Sequence, residues 1–136
     1  MNETLGKVEE FLKAHHTLSL STCKDNIPSS CTLFYAYEPI KQLFIVASDE
    51  KTEHIKNVLQ NPQISGTVHL ETDVVGKIQG LQFKGDMSLC EDEKILYFKK
   101  FPYALAMNPT LWKIEVNFFK LTDNRLGFGK KLIWNR

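Results

Sequence analysis

A lysine, a hydroxyl and an imidazole stand close together at Lys51, Thr52 and His54. They follow the apolar run Phe44 to Ala47 and open a helix-like segment that stops at Asn61-Pro62. The start of a helix leaves backbone N–H groups unpaired and carries partial positive charge. With a hydroxyl and a cation beside it, that start can cradle a phosphate. The same residues also suit an ordinary helix start, with Thr52 as the capping hydroxyl and solvated charges around it. The residues alone leave both readings open.

Other reactive side chains combine into less. Cys23, Cys31 and Cys90 are odd in number and widely spaced, with no CxxC and no histidine pair, so they read as reduced thiols and no metal site is expected. His15 and His16 are neighbours whose side chains diverge, which fits a frayed helix end. His69 lies on an expected strand with a structural role. Gly127-Phe128-Gly129-Lys130 lacks the GxxxxGK[ST] spacing and has no helix behind it. Its glycines suit a tight backbone path near a ligand or a second copy of the chain. Trp112 and Trp134 read as core or interface anchors. No Ser-His-Asp order or paired-carboxylate pattern stands out, so any chemistry is expected to come from a cofactor that the chain positions.

The elements that must position these residues are legible in the periodicity. Leu5, Val8 and Leu12 recur at helical spacing within Glu3 to His15. Thr17 to Lys24 alternates, with Leu18, Leu20 and Thr22 on one side. Asp25-Asn26-Ile27-Pro28 signals a turn, and Ser29 to Tyr37 resumes as a strand. Gln42 to Ala47 makes a third strand. The helix after it has Ile55, Val58 and Leu59 as its buried stripe and ends at Pro62. Ile64 to Leu70 is a fourth strand. A long extended run from Lys77 to Leu89 contains Gly80 and Gly85, glycines that mark bulges or close approaches. Glu91 to Lys100 reads as a helix, Leu111 to Thr122 as a strand, and Arg125 to Trp134 as the final extended segment. Six or seven strands joined by short turns predict a mainly β fold, an antiparallel barrel with flanking helices, as one domain over residues 1–136.

Composition bounds the partners. The 136 residues include 17 basic and 16 acidic side chains, a net charge of +1, which offers no broad attraction for nucleic acid. A hydrophobic share of 43% and a charged share of 24% suit a folded domain. No segment approaches the ~20 apolar residues of a membrane helix, and no secretory signal is seen, so a cytoplasmic protein is expected.

The hairpin with Pro28, the strand and helix ending at Asn61-Pro62, and the strand Leu81-Gln82-Phe83-Lys84-Gly85 resemble, in this order, the pyridoxamine 5′-phosphate oxidase-like split-barrel family of flavin-binding proteins. The resemblance runs from about Thr17 to Trp134. Glu50-Lys-Thr-x-His54, Gly80 to Gly85, Phe101-Pro102 and Thr122 to Trp134 are similar to its UPF0306, or YhbP-like, subgroup.

The resemblance implies a Greek-key split barrel with FMN at a homodimer interface. It places the phosphate on Thr52, Glu53 and His54, where the family usually carries Ser/Thr, arginine and lysine, with Lys51 supplying a fixed charge one position earlier. Ser30, Cys31, Thr32 and Leu33 would flank the flavin ring, with Gln82 and Lys84 on the long strand. Arg125-Leu126-Gly127 matches a substrate-holding Arg-Leu-His that has lost its histidine. Pyridoxamine phosphate oxidase activity is therefore not expected, while Arg125 and Lys130 are left as candidates for an anionic substrate. The implied function is an FMN-dependent oxidoreductase acting on an unknown small substrate. The alternative is a non-catalytic split-barrel dimer that binds another small ligand, or none.

Overall fold

The computed structural model describes residues 2–127 and 129–136. In chain order the elements are α1 (Glu3–Lys13), β1 (Thr17–Lys24), β2 (Ile27–Glu38), β3 (Leu43–Ala47), α2 (Glu53–Gln60), β4 (Gln63–His69), β5 (Gln79–Leu89), α3 (Lys94–Lys100), β6 (Leu111–Asp123) and β7 (Lys131–Asn135), with short 3-10 turns at Val75–Lys77, Pro102–Met107 and Asn124–Leu126. All strand pairings are antiparallel, in the order β3-β2-β1-β4-β5-β6-β7, and β3 also pairs with β6. That last pairing closes six strands into a ring. The run β4-β1-β2-β3 is a Greek key, in which the fourth strand returns beside the first. Its return connection carries α2.

Alternation decides what faces inward. Leu18, Leu20 and Thr22 on β1 are all buried, as are Ile64, Gly66 and Val68 on β4 and Leu81, Phe83, Gly85 and Met87 on β5. A strand with one face in the core and one in solvent must read this way. β3 differs because both its faces are covered. Phe44 and Val46 enter the barrel core, while Leu43 and Ile45 join Ala36, Cys90, Tyr97 and Leu111 in a second cluster beneath α3. α1 meets the barrel where β1 begins, with Val8, Phe11 and Leu12 buried and the Tyr35 hydroxyl donating to Leu12 O at 2.7 Å. α2 meets it where β1 ends.

Four expectations need correction. The turn between β1 and β2 is only Asp25-Asn26, both left-handed at φ 52° and 63°. Such a two-residue turn matches strand twist, so Ile27 and Pro28 already belong to β2. Pro28 is tolerated there because this part of β2 pairs only with β1. Leu59 is 66% exposed, whereas Asn57 is buried and donates from Nδ2 to Thr22 Oγ1 at 3.1 Å. The α2 stripe is therefore Ile55, Asn57 and Val58. α3 starts at Lys94 rather than Glu91. Finally, of the two glycines expected to mark bulges or close approaches on β5, only Gly85 does so. A Cβ there would collide with the carbonyl of Glu115, at a register shift between β5 and β6, while Gly80 faces open space.

Candidate functional site

The start of α2 is built from Ser48 onward. The Ser48 N–H donates to Thr110 O at 3.0 Å, and its carbonyl accepts from Trp112 Nε1 at 2.9 Å, so β6 locks the exit of β3. Asp49 organises the turn. Its Oδ1 accepts from Lys51 N–H at 2.7 Å, and its carbonyl accepts from Thr52 N–H at 3.1 Å and Thr52 Oγ1 at 2.8 Å. Thr52 is the N-cap, accepting from Ile55 N–H at 3.4 Å. A side-chain oxygen at this position satisfies one of the helix's orphan donors, which is why threonine suits it.

His54 does not behave as a free cation here. Its Nε2 lies 2.5 Å from Ser48 Oγ and 3.3 Å from Thr52 Oγ1. Burial lowers its pKa from the ordinary 6.5, so the ring is neutral at pH 7 and Nε2 can accept the Ser48 proton. Ser48 was missed by sequence reasoning. A small polar residue ending an apolar strand was the available signal, but the turn that folds it back onto His54 is not legible in spacing. Lys51 is exposed and is the one basic residue among residues 49–54, against Asp49, Glu50 and Glu53.

A second group of candidates shares the outer face of the barrel. Strand register aligns Thr32, Ser19, Thr67, Gln82 and Lys120 in one row, and Ser30, Ser21, Ser65, Lys84 and Phe118 in the next. Ser21 Oγ meets Ser30 Oγ at 3.0 Å, Ser19 Oγ meets Thr67 Oγ1 at 2.5 Å, and Lys84 Nζ sits 5.0 Å from the centre of the Phe118 ring. Gln82 and Lys84 line a hollow of about 220 Å3 with Ser21, Ser65 and Thr67, and Lys84 also borders a cavity of about 490 Å3 with Asp86 and Asn117. Cys31 and Leu33 point the other way and pack on the core, so they offer this face only their backbone. Burial pushes the Cys31 thiol up, which keeps it protonated and unreactive at neutral pH. Lys51, Thr52 and His54 line neither hollow.

Arg125 is already engaged. Its Nε and Nη2 donate to the two carboxylate oxygens of Asp123 at 3.1 and 2.9 Å, and these bonds hold the buried Asp123 carboxyl below its ordinary value. It borders a cavity of about 380 Å3 with Lys7, Glu10, His15 and Gln79. Lys130 is exposed in the β6–β7 turn, where its backbone N–H donates to Gly127 O and its carbonyl accepts from Asp123 N–H. Gly127 and Gly129 there have φ of 130° and 74°, conformations that suit glycine. Phe128 of the same motif lies outside the described residues. Among the described residues no group of three or more His, Cys, Asp or Glu side chains could hold a metal ion, and no helix is long and apolar enough to cross a membrane.

No family model matches the chain. Whole-length relatives do. The UPF0306 protein of Enterobacter sp. strain 638 is 33% identical over 139 residues, covering 98% of each chain. The UPF0306 protein YhbP of Escherichia coli O127:H6 is 32% identical, covering 98% of this chain and 99% of its own. This chain belongs to the UPF0306 family. Among solved structures, a heme binding protein from Mycobacterium smegmatis superposes with a TM-score of 0.81 at 12% identity, over 99% of this chain and 59% of that one. A putative pyridoxamine 5′-phosphate oxidase from Listeria innocua gives 0.69 at 17% identity, covering 88% and 98%. A FAD-binding protein from Mesorhizobium loti gives 0.69 at 16%, covering 89% and 94%. These likenesses establish the pyridoxamine phosphate oxidase-like split barrel as the fold of this UPF0306 chain.

One of these neighbours is named as FAD-binding, and the residues present here would fit the parts of a flavin unequally. The outer face offers a ring edge what it needs, namely an amide that donates and accepts at Gln82, an ammonium at Lys84 and rows of hydroxyls. The start of α2 offers a phosphate the N–H groups of Glu53 and His54, which have no intrahelical acceptor, together with the Lys51 side chain. It offers no arginine, and Glu53 stands exposed beside them.

Proposed function

We propose that this protein binds a flavin, FMN in the first instance, within a cytoplasmic homodimer and serves as an oxidoreductase for a small substrate. The observation that carries the reading is the row of hydrogen-bonding side chains centred on Gln82 and Lys84, set on the outside of a barrel whose interior is filled by side chains. In this reading Gln82 donates to and accepts from ring heteroatoms, and Lys84 places positive charge beside the ring. Ser30 and Thr32 present hydroxyls on the same face, while Cys31 and Leu33 contribute backbone groups. Thr52, His54 and Lys51 take the far end of the ligand. When bound, the flavin supplies the electron-transfer chemistry that these side chains do not. The hollow over Gln82, about 220 Å3, is below the usual ~300–1,000 Å3 of a ligand pocket. A second copy of the chain would supply the missing wall, which is why the reading includes a homodimer. Substrate binding falls to Arg125 and Lys130. Because Arg125 is paired with Asp123, Lys130 carries the freer charge.

A second reading has one observation in its favour. Glu53 and a neutral His54 occupy the helix start that would receive an anion, which suits a non-catalytic barrel that takes another small ligand or none.

Titrating the purified protein into FMN, followed by flavin fluorescence and visible absorbance, separates the two. Saturable binding at micromolar concentration or tighter is expected, weakened about 10-fold by Gln82→Ala with Lys84→Ala, the loss of one to two hydrogen bonds. A folded protein that leaves FMN fluorescence unchanged would overturn the flavin reading and favour the second.

A further inference from the structure

The start of α2 differs in kind from a phosphate clamp. Residues 49–54 hold three carboxylates, Asp49, Glu50 and Glu53, against the single ammonium of Lys51, and all four side chains belong to exposed residues. The local charge is thus −2, the sum of three negative charges and one positive. The next cation along the helix is Lys56, one turn further on. Much of the cap is also committed internally. The Lys51 N–H and the Thr52 N–H and hydroxyl all donate to Asp49, and Thr52 Oγ1 accepts from Ile55 N–H.

Beside these charges lies a compact cluster of uncharged groups that bond to one another. Ser48 Oγ, Thr52 Oγ1 and His54 Nε2 lie 2.5 to 3.4 Å from one another. Bonded to one another and to the turn, these groups bring no fixed positive charge to the helix start. It gains little from a dianion, because the positive end of the helix is offset by carboxylates within the same turn.

Resting on the flavin reading above, we propose that the start of α2 contributes no net phosphate recognition, so that FMN and riboflavin bind with similar affinity. Glu53 is the residue that sets this indifference, since it occupies the first helical position with its charge beside the free N–H groups. Charge-assisted hydrogen bonds to a phosphate would otherwise contribute roughly 10- to 150-fold each to FMN over riboflavin.

The test is a pair of titrations, FMN and riboflavin, against the full-length wild-type protein, Glu53→Arg and Glu53→Gln, each checked for folding by circular dichroism. The wild type is expected to bind the two flavins within about 10-fold of each other. Glu53→Arg is expected to tighten FMN by about 10-fold and leave riboflavin unchanged, with Glu53→Gln intermediate. Wild-type binding of FMN 100-fold or more tighter than riboflavin would overturn the inference while upholding the flavin reading. A Glu53→Arg effect equal on both flavins would also overturn it, because the residue would then be acting on the protein and not on the phosphate. If neither flavin binds the folded wild type, the flavin reading fails and this inference fails with it.

Discussion

The contact that seats α2 on the barrel can be tested without any ligand. Asn57 is 3% exposed and Thr22 is 2% exposed, and the bond from Asn57 Nδ2 to Thr22 Oγ1 is 3.1 Å long. Asn57 Oδ1 is buried as well and finds no donor among the described protein groups. Thr22→Val would strip Asn57 of that bond and leave a whole amide unpaired, a cost of about 2–3 kcal/mol. Asn57→Leu would orphan only the Thr22 hydroxyl, while removing an acceptor that is already unpaired and adding buried apolar surface. Its net cost should be about 0–1 kcal/mol. The double substitution replaces both partners by apolar groups of similar shape, so it should lie close to the wild type or above it. The coupling between the two sites is then about 2 kcal/mol or more, larger than the few tenths expected of independent positions. Urea denaturation of the four proteins reads this directly. Thermal melts should follow at roughly 3–5 °C per kcal/mol for a domain of this size. If the two single effects simply add, or if Asn57→Leu is the more damaging, the pair is not the seat of the helix and the argument fails.

Two further predictions concern the frame. Gly85→Ala should destabilise by about 1–3 kcal/mol, because its Cβ meets the Glu115 carbonyl and backbone cannot move aside cheaply. Gly80→Ala, with nothing within 4 Å, should change stability by under about 0.5 kcal/mol, and equal losses in a denaturant titration would refute the steric account. The Asp123 carboxyl is held below 3.8 by hydrogen bonds from Arg125. A depressed carboxyl pKa contributes stability that is fully present above the unfolded value and is lost as pH falls through the folded one. Melting temperature should therefore drop more steeply between about pH 4 and 2 in the wild type than in Asp123→Asn, and parallel curves would count against the pair.

Much of the frame is written in local periodicity. β1 runs from Thr17 to Lys24 as the alternation of Leu18, Leu20 and Thr22 implies, and the unbroken apolar run of β3 matches a strand covered on both faces. Pro62 ends α2 because of a restriction on its immediate neighbour. These features depend on residues two to four positions apart, so the sequence determines them by itself. The charge pattern of residues 49–54 is of the same kind.

Other features rest on partners distant in the chain. A helical stripe predicted Leu59 to be buried. In the fold Asn57 is buried instead, because Thr22, 35 positions earlier, offers it a hydrogen bond at the barrel end. The inward turn of Cys31, the pairing of β3 with β6 and the outer row linking Thr32 to Gln82 all follow from strand register. A one-residue slip would send each of those side chains to the opposite face. His54 illustrates the limit at short range. Its position at the helix start was legible, but its conversion from a candidate cation to a neutral acceptor needed Ser48 brought within 2.5 Å and enough burial to disfavour the charged ring. Sequence settles which residue types are available and which local conformations they prefer. The protonation state and partners of a side chain depend on desolvation and geometry, which exist only once the barrel has closed.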